Sequence, residues 1–244
     1  MNNALVRLQQ RMPSHIKPDA KIQSYDDLLA LRRADEKKQL EHFSQQRRDW
    51  VVRNSGMSDR FKSCTFDNYV AETDNQKKAV HYAQRYADTF QGRLTDGKGF
   101  MFIGEPGTGK NHLASAIANH IGRNFKTTLI LTVSDLVGLI RQSWSKDNDL
   151  TESQVIKQIV SVDLLVIDEV GLQKGSEDEH LQLTKIIDKR LYSFKPTSII
   201  SNCKSVEEIK HYIGFRAYDR LKEGVLFTTH FNWESYRGKG NAKV

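Results

Sequence analysis

Phe100-Met101-Phe102-Ile103, followed at once by Gly104-Glu105-Pro106-Gly107-Thr108-Gly109-Lys110, decides the reading of this chain. An apolar run that ends in a glycine-rich loop and then opens a helix is the context a phosphate-binding loop demands. The glycines let backbone N–H groups turn inward around phosphate oxygens, the helix N-terminus adds its dipole, and Lys110 reaches the terminal phosphates. Asn111 stands where Ser or Thr usually offers a hydroxyl to magnesium, so an amide oxygen would take that role directly or through water.

Working outward, four more short apolar runs alternate with amphipathic stretches: 128–133, 164–167, 197–200 and 225–228. That alternation predicts an α/β domain, a central parallel sheet flanked by crossover helices. The helices are expected over 111–121, 134–144, 153–160 and 181–194, with a pair between 205 and 222. The third run ends in Asp168-Glu169, which places two carboxylates at the strand's C-terminal edge, where open α/β sheets bind ligands. Asp168 is expected to hold magnesium and Glu169 to polarise an attacking water. The fourth run ends in Ser201-Asn202, so an amide at the next strand end would orient that water or touch the γ-phosphate. Arg216 and Arg220, four apart, share one helix face before the last strand. A guanidinium offered to a neighbouring subunit's nucleotide makes hydrolysis depend on assembly; surface pairing with Asp219 or Glu223 is the competing reading.

The first part of the chain is different. Up to about residue 60 it is polar and charge-dense, with the basic pairs Arg32-Arg33, Lys37-Lys38 and Arg47-Arg48. Leu28, Leu31, Leu40, Phe43 and Trp50 form a thin apolar stripe that calls for a partner surface, either another protein or the chain's own domain. Pro13 and Pro18 break a short helix over 4–11 from a longer one. We expect a helical segment over 1–53, a linker over 54–68 and the nucleotide-binding domain over 69–244.

With 244 residues the chain can bury a sizeable core. No run approaches the roughly 18 apolar residues of a membrane span, and the basic start lacks the apolar stretch of a secretory signal, so a cytoplasmic protein with no membrane partner is expected. Cys64 and Cys203 lie far apart without zinc spacing and read as ordinary thiols. The net charge of +7 makes an anionic partner plausible, nucleic acid first.

Together these residues resemble a family. Gly104 to His112, with the unusual Asn111-His112, is similar to the bacterial replicative-helicase loaders of the DnaC family, which are AAA+ P-loop NTPases. So are Leu164 to Glu169, Ser201-Asn202, the Arg216-to-Arg220 spacing, Phe231-Asn232-Trp233-Glu234-Ser235-Tyr236-Arg237 and Met12-Pro13-Ser14-His15-Ile16-Lys17-Pro18. The resemblance implies ATP and Mg2+ as cofactors. Gly104, Glu105, Pro106, Gly107, Thr108, Gly109, Lys110, Asn111 and His112 would hold the nucleotide, and Asn111 and Asp168 the metal. Lys110, Asp168, Glu169, Asn202, Arg216 and Arg220 would carry catalysis. It also implies that the N-terminal segment binds a hexameric DnaB-type helicase, with Arg7, Leu8, Arg11 and Met12 as contacts. The ATPase domains would assemble in ATP as a spiral, contact single-stranded DNA and help open the ring onto it.

For DNA, the segment Arg141-Gln142-Ser143-Trp144-Ser145-Lys146 combines charge with a stacking surface, although a Trp at a helix end also serves as core. Lys174 and Ser176 are further candidates. By the same resemblance, the stretch from Phe61 to Tyr69 flanks the adenine, unless Phe66 and Tyr69 are core. Three alternatives remain: a transposition-helper ATPase of the IstB type acting on duplex DNA, a small-metabolite kinase, and a non-hydrolysing adaptor. The N-terminal motif, the Arg216/Arg220 pair and intact Lys110, Asp168 and Glu169 respectively disfavour them.

Overall fold

The computed structural model describes residues 25–55, 59–145 and 149–237. In chain order these form α1 (Tyr25–Asn54), α2 (Asp59–Lys62), α3 (Asp74–Asp88), α4 (Phe90–Asp96), β1 (Gly99–Gly104), α5 (Lys110–Gly122), β2 (Thr128–Thr132), α6 (Val133–Gln142), α7 (Glu152–Ser161), β3 (Leu164–Val170), α8 (Glu177–Tyr192), β4 (Thr197–Ser201), α9 (Val206–Ile213), α10 (Phe215–Glu223) and β5 (Val225–Phe231). The strands are all parallel, in the order β2-β3-β4-β1-β5.

Period-two alternation splits the strand side chains between two cores. Met101, Ile103, Leu129, Leu131, Leu165, Ile167 and Ile199 face one side, where residues of α6 to α10 bury their apolar stripes. Phe100, Phe102, Ile130, Leu164, Val166 and Ile200 face the other, against α3, α4 and α5. Local chemistry sets the helix starts. Thr73, Thr151 and Ser176 each cap a helix reciprocally with the Gln or Glu three residues on. Thr132 and Ser205 accept from the N3 amides of α6 and α9.

The β3/β4 register slips between Ile167 and Val170: Ile167 pairs with Ile199, yet Val170 pairs with Ser201. Two residues of β3, Asp168 and Glu169, therefore oppose one of β4, a β-bulge. Glu169 has φ of 56°, a left-handed conformation that costs a non-glycine residue about 1–2 kcal/mol.

All five expected strands are present. The helix expected over 134–144 stops at Gln142, leaving Trp144 beyond its end, and the one expected to begin at 181 begins at Glu177, where Ser176 caps it. The helices α2, α3 and α4 have no counterpart in the sequence reading. The described chain divides into two compact units between Gln46 and Arg47, earlier than the boundary expected after residue 53. The last turns of α1 explain this: Trp50 and Val51 are buried in the same core as β1 to β4, and Arg47 donates to the Ser161 carbonyl at 2.9 Å. Before that boundary, Leu31 and Phe43 of the expected stripe are exposed. The side chains of Leu28 and Leu40, and Arg7, Leu8, Arg11, Met12 and the motif over 12–18, lie outside the described residues. Among the described residues, no helix is long and apolar enough to cross a membrane, and Cys64 and Cys203 are buried free thiols.

Candidate functional site

The loop from Gly104 to Lys110 runs from the C-terminal end of β1 into α5. Its glycines are required by both backbone and space. Gly107 has φ of 80°, and a Cβ there would stand 2.1 Å from Ser235 Oγ; Gly109 has φ of 92°, and a Cβ would stand 2.6 Å from the Tyr69 ring. Thr108 Oγ1 ties the loop to itself by donating to the Glu105 carbonyl at 2.8 Å.

Lys110 is 4% exposed, and its Nζ donates to the carbonyls of Gly104 at 2.7 Å and Glu105 at 2.8 Å. Burial pushes its pKa down to about 8, and the nearby charge of Arg237 adds to the fall while Asp168 and Glu105 oppose it. Next to it, Asn111 Nδ2 donates to Asp168 Oδ2 at 2.6 Å. Asp168 Oδ1 accepts from the Glu169 backbone N–H at 2.7 Å, a bond within the bulge. Burial raises the Asp168 pKa above the ordinary carboxylate value despite those two donors. The bulge leaves Glu169 exposed beside a buried Asp168. Lys110, Asn111, Asp168 and Glu169 thus come together at one sheet edge. Asn202 is half-buried just past the end of β4, and that end is fixed to β3 by Ser201 Oγ donating to the Val170 carbonyl at 2.7 Å.

Two segments that carry no phosphate signal grip the loop from outside. Tyr69 Oη donates to the Thr108 carbonyl at 3.1 Å, and Trp233 Nε1 donates to the same carbonyl at 2.9 Å. The Tyr236 N–H donates to the Gly107 carbonyl at 2.9 Å, and Tyr236 Oη reaches the Val70 carbonyl at 2.6 Å. Trp233, Ser235, Tyr236 and Arg237 are site neighbours that motif reasoning did not assign; the cluster of aromatics just after the last strand was their only signal. His112 turns to the preceding segment: its Nε2 lies 2.9 Å from Asn68 Oδ1 and 3.0 Å from the Thr65 carbonyl, and its ring meets Tyr69 edge-on. Asn119 Nδ2 donates to the carbonyls of Phe61, Lys62 and Cys64, which completes the attachment of residues 61–69 to α5.

The residues fit a nucleotide and its metal. The glycine geometry is that of an anion cradle, a buried ammonium already rests on its carbonyls, and Asn111 and Asp168 are oxygen-bearing side chains suited to a magnesium ion held mostly by phosphate and water.

Other sequence candidates sit elsewhere. Arg216 and Arg220 lie on α10, paired to Asp188 of α8. Arg141 pairs with Asp178 at 2.7 Å, and the exposed Trp144 donates through Nε1 to Glu152 at 2.9 Å, so both stand on acidic neighbours; Lys146 is outside the described residues. The Ser176 hydroxyl is spent on capping α8.

Comparison with known proteins agrees with this architecture. The family described as "IstB-like ATP binding protein" matches residues 21–223. The replicative helicase loader DnaC of Buchnera aphidicola subsp. Schizaphis graminum is 37% identical over 97% of this chain and 95% of its own length. The protein of the same name from Escherichia coli K12 is 34% identical over the whole of this chain and 98% of its own. A crystal structure of the DnaC helicase loader superposes with a TM-score of 0.62 at 21% identity, covering 71% of this chain and 99% of that one. A five-stranded parallel sheet with a phosphate loop leaving β1, an acidic pair ending β3 and this depth of likeness place the chain in the IstB-like ATP-binding family with the AAA+ fold, among the helicase loaders of the DnaC type.

Proposed function

We propose that this chain is an ATP-driven loader that binds a hexameric DnaB-type replicative helicase in the cytoplasm and delivers it onto single-stranded DNA. The observation that carries the reading is the Lys110–Asn111–Asp168 cluster at the edge of β1 and β3, in a chain similar to named helicase loaders over nearly its full length. In this reading the phosphate loop and Lys110 hold the ATP phosphates, and Arg237 adds positive charge at the pocket's rim. Asn111 and Asp168 hold Mg2+, which supplies charge neutralisation between the phosphates. Glu169 orients the attacking water and Asn202 touches the γ-phosphate side. Tyr69 and the segment 61–69 border the base.

Hydrolysis is slow and rises with DNA and assembly, because the arginines of α10 must reach a neighbouring protomer's nucleotide. The domains then assemble as a spiral, and the segment before Gln46, including Arg7, Leu8, Arg11 and Met12, docks on the helicase. The test is a size-resolved mixture of the chain with its host's replicative helicase, with and without ATP and single-stranded DNA. A stable complex whose composition changes with nucleotide is expected.

The family match over 21–223 carries a second reading, a transposition helper acting on duplex DNA. It takes first place if no helicase complex forms and ATP instead promotes binding to duplex DNA.

A further inference from the structure

Arg216 and Arg220 both reach a single carboxylate. Asp188 Oδ2 lies 3.2 Å from a terminal nitrogen of Arg216, and Asp188 Oδ1 lies 3.3 Å from Arg220 Nε. The Asp188 side chain is only 17% exposed, against 33% for Arg220 and 74% for Arg216. It is carried by a firmly held helix. Two residues on, the fully buried Arg190 donates to the carbonyls of Ile159, Val162 and Pro196, which locks α8 to the starts of β3 and β4. Arg220 has one more carboxylate, Glu223, 3.4 Å from Nη1, but that group is 60% exposed and such pairs contribute little.

The atoms in contact divide the two arginines. Arg216 spends a tip nitrogen on Asp188, whereas Arg220 meets it with the inner nitrogen of its fork and holds the tip nitrogen Nη1 only against the exposed Glu223. The Oδ1 contact lacks the alignment of a hydrogen bond, so Asp188 holds Arg220 by charge, and the one hydrogen bond of this guanidinium goes to the exposed Glu223. An unrestrained arginine carries substantial rotamer entropy, which must be lost before it can act on a phosphate. A half-buried carboxylate on a rigid helix removes part of that cost in advance.

We propose that Asp188 is a positioning residue for hydrolysis at the adjacent protomer: it orients Arg220 toward the neighbour's terminal phosphate, with Arg216 as a brace on the same carboxylate. The proposal rests on the reading of α10 as a trans-acting element. It predicts a directional effect, because Asp188 serves the site that its protomer faces and not the site that its protomer contains.

Mixing full-length variants on the host helicase and single-stranded DNA reads that direction. A donor with Glu169→Gln keeps its arginines but lacks the proposed base; an acceptor with Arg220→Ala keeps its site but lacks the finger. Mixed, they should regain turnover that neither shows alone. Adding Asp188→Ala to the donor should cut the regained kcat by about ten- to a hundredfold, the scale of a misplaced catalytic group, with KM for ATP unchanged. Adding it to the acceptor should change nothing. Equal losses in both arms would mean a strap that merely holds α8 to α10, and no loss in the donor arm would mean no role; either result overturns the proposal alone. If the parent mixture regains no turnover, the trans reading falls and the proposal falls with it.

Discussion

Lys110 and Arg220 are cations assigned to the same phosphate chemistry, yet the fold treats them in opposite ways. Lys110 is buried, rests on two carbonyls of its own loop and has lost much of its affinity for a proton. Arg220 is a third exposed and charge-matched to Asp188 of α8. A buried ammonium is costly without an anion, so that half of the machinery is built to be completed by a ligand. A surface guanidinium on a carboxylate costs little, so in the proposed reading the other half can stay exposed until a second protomer arrives. In the proposed reading, binding therefore belongs to the single chain, and hydrolysis belongs to the assembly.

The largest expected effect breaks the buried half. Lys110→Ala removes charge-assisted bonds to the phosphates, each worth about 1.5–3 kcal/mol, and should weaken ATP on the order of a hundredfold. Equilibrium binding of a fluorescent ATP analogue measures it. Helicase capture in the absence of nucleotide should persist, since the docking role is proposed for the N-terminal segment and not for this loop. Unchanged ATP affinity would remove Lys110 from the site.

Arg220→Ala should break only the other half. ATP affinity stays within about twofold of wild type, because the guanidinium touches no group of its own loop, whereas DNA-stimulated turnover falls by about a thousandfold, the low end of arginine-finger effects. Paired ATP-binding and steady-state hydrolysis measurements on one preparation separate the two. A fully active variant would transfer the trans role to Arg216 or abolish it.

The two halves also differ in how far the sequence reveals them. The strands β1 to β4 are legible because strands buried on both faces are continuous apolar runs, and the phosphate loop is legible because its chemistry is local. Asp188 was not, because an acidic residue on an amphipathic helix reads as solvated until α10 packs beside it. Arg190 hid in the same way: its burial makes sense only when the carbonyls of residues 159, 160, 162 and 196 converge on it. The helix α3 went unassigned because, of its buried residues Gln76, Ala79, Ala83, Tyr86 and Ala87, only Tyr86 is large, so the stripe rests on small alanines that also occur on exposed faces. The bulge at Asp168-Glu169 follows from the register of β3 against β4 and has no local signal. The aromatic segment from Trp233 to Tyr236 was visible as a motif, but its grip on the loop is tertiary.

The smallest expected effect concerns the proton on Lys110. Burial lowers its pKa from the ordinary 10.5 to about 8, so above pH 8 the ligand-free folded chain sheds a proton that the unfolded chain retains up to about 10.5. The unfolded state then binds more protons, and the contribution of this group to folding stability rises with pH across that window. ATP has the reverse dependence. Its phosphates favour the ammonium form, so binding at pH 8.5 takes up a proton, and affinity falls as pH climbs beyond 8, by at most about tenfold per unit. Titration calorimetry at pH 8.5 in two buffers of different ionisation enthalpy should give different apparent heats for wild type, and the difference should shrink in Lys110→Arg, which stays charged throughout. The thermal midpoint of the ligand-free chain, relative to Lys110→Met, should meanwhile climb between pH 8 and 10. Opposite trends for binding and folding are the signature of a buried cation awaiting an anion, and Arg220, already matched by Asp188, should show neither.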